Sequence, residues 1–266
     1  MRRPFHKMHG LGNDFVIVDA RNEPFEVTEA LARSIADRRT GIGCDQLIVL
    51  EPSGRADLKM RIWNSDGGEV ESCGNATRCV VQLTGATKID SDGGLLLGED
   101  LGAEIEVAIG EPRFGWNEIP LAYPMDTAAL PMAWDGLGNP FAVNVGNPHL
   151  VFFVPDAREV PLEELGPRIE NDSAFPERIN VNVATYVHDR VELRTFERGA
   201  GETLACGTGA CATAVAAIAT KRAQSPVRVD MTGGSLTVSW RPGDQIRMRG
   251  AATRVFSGEL DLEALK

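Results

Sequence analysis

The chain has 266 residues, of which 43% are hydrophobic and 24% charged, as is typical of a globular protein with enough core for two compact lobes or one large domain. Its formal net charge of −11 argues against a nucleic-acid partner, which would need a basic surface. No apolar run reaches the roughly 18 residues of a membrane span, and the basic start lacks the apolar segment of a secretory signal. Five cysteines without a CxxC pair predict free thiols in a cytoplasmic protein.

Short alternating runs bounded by Gly, Pro, Asn or Asp predict strands along most of the chain. One early helix is predicted from Thr28 to about Arg39, with Thr28 as its N-cap and Gly41 as its stop. Strand patterning lapses and prolines recur from about Gly110 to Pro124, which predicts a boundary between lobes there. The predicted strands, in chain order, are Phe15–Val18, Leu58–Ile62, Ile105–Ile109, Val151–Val154, Leu236–Trp240 and Ile246–Met248.

Two further helices are predicted, each directly after a Cys-Gly-polar turn. The first runs from Ala76 to Leu83 and is closed by Gly85. The second runs from Gly209 to Ile218 and is small and apolar on all sides, so we expect it to be buried within its lobe.

The most informative feature is a long-period internal repeat. Asn13 and Cys73 are separated by nearly the same number of residues as Asn147 and Cys206. Four segments match in order, which predicts two similar lobes that each present one Cys-Gly-polar turn. The matching pairs are Gly12–Val18 with Gly146–Phe152, Met60–Asn64 with Leu193–Glu197, Gly68–Glu69 with Gly201–Glu202, and Cys73–Asn75 with Cys206–Thr208.

The position of Cys73 and Cys206 just before a helix gives each a chemical role. Free N–H groups and the helix dipole stabilise a thiolate there, and we expect them to lower the pKa of both cysteines by a unit or more. The same N–H groups can hold a carboxylate and the charge that develops when an α-proton leaves. Two such turns facing one carbon would invert its configuration, since one sulfur removes a proton and the other supplies one. No cofactor signature is present, so we predict no cofactor and no metal.

Simpler interpretations apply to several of these residues. Asn13 and Asn147 also fit turn residues that precede strands, and His149 alone fits a structural histidine. The remaining cysteines fit small buried core residues, namely Cys44, Cys79 and Cys211.

Several segments together resemble the diaminopimelate epimerase family over most of the chain, and the last of them is highly specific. The segments are Met8–Phe15, Gly41–Gln46, Asn64–Cys79, Gly146–His149, Pro176–Asn182 and Glu197–Cys211. The resemblance implies cofactor-independent conversion of LL- to meso-diaminopimelate, on the route to lysine and peptidoglycan, by a cytoplasmic enzyme. It implies an α+β fold of two pseudosymmetric lobes, each a strand-rich sheet or barrel wrapped around a central helix. These lobes would span residues 1–115 and 116–252, with the tail from about 253 to 266 returning to the first.

The resemblance also implies roles for individual residues. Cys73 and Cys206 would be the two bases, with His149 and Glu197 beside the reacting centre. Asn64, Asn180 and Arg198 would hold the distal amino-acid centre, where an arginine can grip a carboxylate with two hydrogen bonds. The substrate-binding set as a whole is Asn13, Gln46, Asn64, Gly74, Asn75, Asn147, Asn180, Glu197, Arg198, Gly207 and Thr208. A homodimer is taken from the resemblance alone.

Two departures from the family pattern stand out. Ala76 replaces the glycine that usually ends Cys-Gly-Asn-Gly, and we expect it to begin the helix with negative φ, where alanine is favourable. Asn180-Val-Asn-Val differs from the commoner Asn-x-Gly-Phe, which leaves open whether Asn180 or Asn182 reaches the substrate.

Two rival functions follow from the same residues. A proline or hydroxyproline racemase would share the fold, although a small cyclic substrate would leave Arg198 without a distal partner. A non-enzymatic thiol module, either redox-active or zinc-binding, would also use cysteines, but zinc sites prefer four ligands at short spacings and the cysteines here do not cluster in that way.

Overall fold

The computed structural model describes residues 2–71 and 73–264 and divides into two compact units. Unit 1 comprises Met1–Val107 with Gly250–Lys266, and unit 2 comprises Ala108–Arg249. The division falls within β8 (Ile105–Gly110) and at the last residue of β18 (Ile246–Gly250). Across the described ranges, no helix is both long enough and apolar enough to span a membrane.

The sheet of unit 1 is built from short strands around one central helix, α2 (Gly74–Thr84). β1 and β2 form an antiparallel hairpin, β2 and β3 are parallel, and β3 and β4 are antiparallel. β4 then pairs with β5 antiparallel and with β6 parallel, and β6 pairs with β7 antiparallel. The C-terminal strand β19 adds to β1 antiparallel. The strands are β1 (Arg2–Gly10), β2 (Asn13–Asp19), β3 (Gln46–Glu51), β4 (Leu58–Asn64), β5 (Glu69–Val70), β6 (Lys88–Ser91), β7 (Gly94–Asp100) and β19 (Thr253–Asp261).

Unit 2 repeats the same order of pairings around its own central helix, α4 (Gly207–Ala219). β11 and β12 are antiparallel, β12 and β13 parallel, and β13 and β14 antiparallel. β14 pairs with β15 antiparallel and with β16 parallel, and β16 pairs with β17 antiparallel, as does β17 with β18. The strands are β11 (Phe141–Asn144), β12 (Pro148–Phe153), β13 (Asn180–Val187), β14 (Arg190–Glu197), β15 (Gly201–Thr203), β16 (Val227–Met231) and β17 (Gly234–Ser239). A separate small hairpin pairs β9 (Ala133–Trp134) with β10 (Leu137–Gly138).

The register of the strands makes the two units equivalent residue by residue. Phe15 lies opposite Gln46, as His149 lies opposite Asn180. In the next pair of strands, Ile48 lies opposite Ile62, as Asn182 lies opposite Thr195. The internal repeat in the sequence therefore corresponds to a repeated fold, and the prediction of two pseudosymmetric α+β halves is confirmed.

The central helices behave as the sequence predicts. α2 ends at Gly85, which adopts a left-handed conformation with φ of 71° that glycine accommodates without strain. In α4 every residue from Gly209 to Ala217 is buried, because the helix packs against six strands of its unit. The six predicted strands all overlap observed ones. The remaining helices are α1 (Glu29–Ala36) and α3 (Leu162–Glu170), with a single 3₁₀ turn at Ala157–Glu159.

The first helix is shorter than predicted. Thr28 is its N-cap, since its hydroxyl accepts from the Leu31 N–H at 3.2 Å, but α1 ends at Ala36 rather than near Arg39. Asp37 ends the helix because its carboxylate accepts from the N–H groups of Arg39 and Thr40, an alternative that competes with helical hydrogen bonds. The prediction of Gly41 as the helix stop is therefore wrong.

Each unit has its own apolar core. In unit 1, α1 packs its buried face, including Ala32 and Ile35, with residues of β2 and β3. In unit 2, α3 packs Leu165 and Ile169 with residues of β12 and β13, such as Phe152. These cores fix the strands whose ends carry the predicted site residues.

Candidate active site

Cys73 is the N-cap of α2, and a tight hairpin brings Asn13 to it. Leu11 and Gly12 connect β1 to β2 with φ of 57° and 90°, the positive values that a two-residue hairpin turn requires. Asn13 is thereby the first residue of β2, and its Oδ1 lies 3.9 Å from the Cys73 Sγ, which donates to it. The same Oδ1 accepts from the Asn75 Nδ2 at 3.3 Å. Three of the predicted site residues of unit 1 are thus in direct contact.

A network of charged residues holds the amide of Asn13 in this orientation. Its Nδ2 donates to the Asp45 carboxylate at 2.9 Å, so its oxygen must face the cysteine. Arg38 bridges Asp45 and Asp14, and the buried Lys7 pairs with Asp14 at 2.5 Å. Hydrogen bonds from Arg38 and Lys7 hold the pKa of Asp14 far below its usual range, although burial opposes this.

Two other predicted residues of unit 1 contact each other on neighbouring strands. Gln46 on β3 donates from its Nε2 to the Asn64 Oδ1 on β4 at 2.8 Å. The Gln46 Oε1 is buried, and no described residue donates a hydrogen bond to it. An acceptor of this kind can receive an N–H group from a ligand.

A fully buried arginine supports the first turn of α2. Arg78 donates to the Asn75 Oδ1 at 2.8 Å and to the carbonyl of Ala251 at 3.3 Å. The amide of Asn75 is therefore fixed from both sides, by Arg78 and by Asn13.

Cys206 caps α4 in unit 2 and is buried. Its Sγ accepts from the Gly209 N–H at 3.3 Å and lies 3.5 Å from the Thr208 hydroxyl. Burial and the neighbouring carboxylate of Glu197 raise the pKa of Cys206 well above its usual value, although the contacts with Thr208 and Gly209 lower it. The expected lowering of the pKa is therefore wrong for Cys206, because desolvation outweighs the helix N-terminus.

Glu197 is held at the end of β14 by the Thr203 hydroxyl, which donates to its carboxylate at 2.6 Å. It belongs to the surroundings of Cys206, since both its charge and its hydrogen bond act on the pKa of that thiol. Glu197 is half-buried, whereas its neighbour Arg198 is exposed.

His149 is completely buried at the start of β12. Its Nε2 lies 2.9 Å from the Asn147 Oδ1, and its Nδ1 lies 3.0 Å from the Asn182 Nδ2. Burial and the charge of Arg198 lower the pKa of His149 to about 3. The ring is therefore neutral, and it carries one proton rather than two.

Asn180 is held by the backbone on both sides. Its Nδ2 donates to the Pro148 carbonyl at 2.8 Å, and its Oδ1 accepts from the Arg198 N–H at 3.0 Å. One amide proton of Asn180 remains. By contrast, both amide protons of Asn182 are used, by His149 and by the carbonyl of Leu150. Of the two asparagines, only Asn180 keeps a donor for a ligand.

A polar cleft of about 370 Å³ within unit 2 contains Asn147 and Arg198. The Arg198 guanidinium donates to the Glu177 carbonyl at 2.9 Å, which fixes it at the wall of the cleft. The other lining residues are Arg113, Asn117, Glu118, Pro120, Asn144, Gly146, Pro148 and Glu177. Arginine and amide donors in such a cleft suit a carboxylate ligand.

Equivalent positions in the first turns of the two central helices differ. Ala76 is buried within α2 and is not among the residues with positive φ, which confirms the expectation that alanine fits there. Its counterpart Gly209 has no room for a side chain, since a Cβ would lie 2.6 Å from the Asn182 Oδ1 and 2.9 Å from the Thr195 Oγ1. Glycine at this position is required by space rather than by φ.

The remaining cysteines are buried core residues, as predicted, and among the described residues no disulfide is formed. Burial raises the pKa of Cys44 to about 11 and that of Cys79 to about 12, so both are unreactive thiols. In the part of the chain that the structure describes, no three His, Cys, Asp or Glu side chains are grouped so as to hold a metal ion.

Several contributing residues were missed by the sequence analysis. Arg78, Asp45 and Thr203 each fix a predicted site residue, but they lie in segments where charged or hydroxyl side chains look unremarkable. Of these three, Arg78 could have been noticed in the sequence, because it is a charged residue within a helical run that is otherwise buried. Asn182 was considered as a substrate contact, but its hydrogen bond with Thr195 depends on strand register, which the sequence does not report.

The fold is shared by solved structures of other proteins. A phenazine biosynthesis protein of the PhzF family from Bacillus anthracis aligns with a TM-score of 0.68 at 17% identity, covering 98% of this chain and 99% of the other. A hydroxyproline epimerase from Agrobacterium vitis aligns with a TM-score of 0.65 at 15% identity, covering 97% and 92%. At such identities the likeness concerns the fold alone, and it defines a class rather than a substrate.

Sequence comparison decides the family. The model of the diaminopimelate epimerase family matches residues 5–113 and 141–255. A diaminopimelate epimerase from Rhizorhabdus wittichii is 60% identical over 268 residues, covering 99% of this chain and 97% of the relative. The chain belongs to the diaminopimelate epimerase family, and it is an amino-acid isomerase.

Proposed function

We propose that the chain converts LL-diaminopimelate to meso-diaminopimelate by a two-base mechanism that uses Cys73 and Cys206 and no pyridoxal cofactor. The observation that carries the proposal is the repeated N-cap cysteine, found at equivalent positions of two equivalent units. Inversion at carbon needs one proton carrier for each face, and a duplicated cap supplies two. Family membership supports the choice of substrate.

The proton transfers balance between the two sulfurs. Cys73 donates to Asn13 as a thiol in this structure and would have to lose that proton before the reaction. As a thiolate it would take the α-proton from one face, and the thiol of Cys206 would give its proton to the opposite face. The raised pKa of Cys206 suits the donor in this direction, because a buried thiol beside Glu197 keeps its proton until a carbanion forms. The reverse reaction starts from the opposite protonation states of the two cysteines.

The substrate carboxylate at the reacting centre would be held by backbone N–H groups of the two helix N-termini. In unit 1 these belong to Gly74 and Asn75, and in unit 2 to Gly207 and Thr208. The helix dipoles stabilise the enediolate-like charge that develops there, which is the main electrostatic contribution to the rate. His149 stays neutral beside this centre, so its ring adds no competing charge.

The distal amino-acid centre would occupy the cleft of unit 2. Arg198 would pair with the distal carboxylate, and Asn180 would donate its remaining amide proton. Gln46, whose buried carbonyl oxygen receives no hydrogen bond from a described residue, and Asn64 are proposed as further substrate contacts because the family resemblance implies them. A proline-like substrate has no group for this second site.

The proposal is tested by following LL- and meso-diaminopimelate by NMR in heavy water. The unaltered protein should interconvert the two isomers with solvent deuterium entering the α-position, and neither Cys73→Ala nor Cys206→Ala should interconvert them, because a single base returns a proton to the face from which it took one. The matched controls are Cys79→Ala and Cys211→Ala, which remove a buried thiol from the same two helices and should keep activity. Interconversion of the isomers by either of the first two variants at the unaltered rate would refute the two-base mechanism. Exchange of proline or hydroxyproline instead would refute the substrate.

The setting of the reaction follows from the same proposal. The five thiols, which form no disulfide among the described residues, suit the reducing cytoplasm, where the product would enter lysine and peptidoglycan precursor synthesis. A homodimer is proposed from family membership alone, and sedimentation equilibrium at micromolar protein tests it.

A further inference from the structure

Unit 2 contains a set of buried polar side chains that unit 1 lacks at the equivalent positions. By strand register, His149 corresponds to Phe15 and Asn182 to Ile48. Thr195 likewise corresponds to Ile62. The three residues of unit 1 are apolar and fully buried, so the shared fold does not require polar groups there. His149, Asn182 and Thr195 form a buried polar string. Its burial costs desolvation free energy at positions where unit 1 has an apolar core, so the string needs an explanation other than the shared fold.

The direction of every hydrogen bond in this string follows from one backbone carbonyl. The Leu150 carbonyl can only accept, and the Asn182 Nδ2 donates to it at 2.8 Å. Because this fixes which side of the amide carries the NH₂ group, Asn182 also donates to the His149 Nδ1 at 3.0 Å. The Thr195 hydroxyl donates to the Asn182 Oδ1 at 2.9 Å, which completes the amide. Neither the amide nor the hydroxyl can be reversed without breaking a bond.

The hydrogen bonds of His149 and Asn147 have fixed directions as well. Since the His149 Nδ1 accepts, the single proton of the neutral ring is on Nε2, and Nε2 donates to the Asn147 Oδ1 at 2.9 Å. Asn147 must then turn its Nδ2 donor away from His149. Asn147 is only half-buried and lines the polar cleft, so this donor is available to a ligand.

We propose that Asn182 is a positioning residue that keeps the proton of His149 on Nε2. Asn147 is thereby fixed as a donor, so that it donates a hydrogen bond to the ligand and does not accept one from it. The inference rests on the proposed function for the identity of the ligand. A side chain fixed as a donor recognises an acceptor, so Asn147 faces a substrate carboxylate oxygen and discriminates against an ammonium group at that point.

The alternative is that Asn182 merely fills space and satisfies its neighbours. Both alternatives predict lost stability when Asn182 is replaced, so stability alone does not separate them. Only the positioning role predicts a change in which nitrogen of His149 carries the proton. That property is measured directly by long-range proton–nitrogen correlation spectra of protein labelled with ¹⁵N-histidine, in which His149→Phe assigns the resonances.

The decisive variant is Asn182→Asp, which keeps the shape and removes the donor. A carboxylate facing Nδ1 draws the proton to that nitrogen, so the spectrum should change from the Nε2–H to the Nδ1–H form or to the doubly protonated ring. We expect kcat/KM to fall roughly 10- to 100-fold and to become pH-dependent between about pH 5 and 8. Asn182→Gly, which removes the donor without adding charge, should give mixed tautomers and a smaller loss, and it serves if the aspartate variant does not fold.

The matched control is Thr185→Val on the same strand. Thr185 is buried and its hydroxyl accepts from the Ala157 N–H at 2.7 Å, outside the string, so its loss should lower stability without changing the His149 spectrum. The inference would be overturned if the proton of His149 were on Nδ1 in the unaltered protein. It would also be overturned if the His149 spectrum and kcat/KM were unchanged in both Asn182 variants. Failure of the unaltered protein to exchange the diaminopimelate α-proton would instead refute the proposed function, and the histidine spectrum would still be measurable.

Discussion

Replacing Gly209 by alanine is the most informative single perturbation of the site. A Cβ at this position would lie 2.6 Å from the Asn182 Oδ1, 2.9 Å from the Thr195 Oγ1 and 3.2 Å from the Cys206 Cβ. Asn182 cannot move aside easily, because its amide is bonded to a backbone carbonyl and to a buried ring. The start of α4 must therefore move, and Cys206 moves with it.

The loss of stability in Gly209→Ala results from two opposing effects. Overpacking of a well-packed interior costs about 1–3 kcal/mol, and contacts this short place Gly209→Ala towards the upper end. Alanine recovers about 1 kcal/mol relative to glycine within a helix. We therefore expect a net loss of about 1–2 kcal/mol in the free energy of unfolding. Displacement of the Cys206 sulfur should lower kcat by roughly 10- to 100-fold.

Unit 1 offers the reciprocal variant. Ala76→Gly restores the family's usual residue at the equivalent position, where there is room and φ is negative. It should lose about 1 kcal/mol of stability through helix propensity and keep its turnover. Urea unfolding and the α-proton exchange rate measure both effects, and Asn182→Gly combined with Gly209→Ala should lose less than the sum of the two single variants. Full stability and full turnover in Gly209→Ala would refute the reasoning.

Three further predictions concern pH, charge and oxidation. His149 has a folded-state pKa of about 3 against roughly 6.5 when unfolded, so as the pH falls below 6.5 the unfolded chain binds the proton first and stability is lost. Urea unfolding at pH 5 and 6 should show a slope about 1 kcal/mol per pH unit steeper than in His149→Phe, and equal slopes would contradict the assigned neutral ring. Asp14→Asn should lower the free energy of unfolding by about 3 kcal/mol, because it removes the carboxylate that pairs with the buried Lys7. Asp19→Asn, at a half-exposed ion pair, should lower it by less than about 1 kcal/mol. Similar losses in the two variants would show that the buried pair has no special role. Mild oxidation should join the two helix-capping cysteines and abolish activity until a reductant is added, and an oxidised protein that stays fully active would rule out both thiols as bases.

The sequence predicts the fold well where a pattern repeats. Matched segments at equal spacing anticipate the two equivalent units, and the small apolar run after Cys206 anticipates a buried helix. Local signals were less complete. Asp37 ended the first helix because its side chain accepts from nearby N–H groups, which hydrophobic periodicity does not report. The end strands β1 and β19 have no distinctive pattern, since their pairing joins opposite ends of the chain.

The sequence predicts which residues form the site but not the protonation states of their side chains. Helix position alone suggests a lowered pKa for Cys206, yet complete burial and the carboxylate of Glu197 raise it. Burial depends on the packing of α4 against the strands of its unit, which the position of Cys206 before a helix does not report. For the same reason the pairing of Asp45 with Asn13 could not be inferred, because it depends on the parallel register of β2 and β3.

The contrast between the two units explains why such a site changes as a set. An apolar interior tolerates one residue at a time, but a polar string is stable only when each of its groups has a partner. Putting isoleucine, the residue of unit 1 at position 48, in place of Asn182 would leave two groups without the partner they have now: the His149 Nδ1 and the Thr195 hydroxyl. Each buried polar group without a partner costs about 1–3 kcal/mol, so the single exchange would remove much of a typical domain's stability. Polar positions in unit 2 are therefore coupled to one another, whereas their apolar counterparts in unit 1 are coupled only through packing.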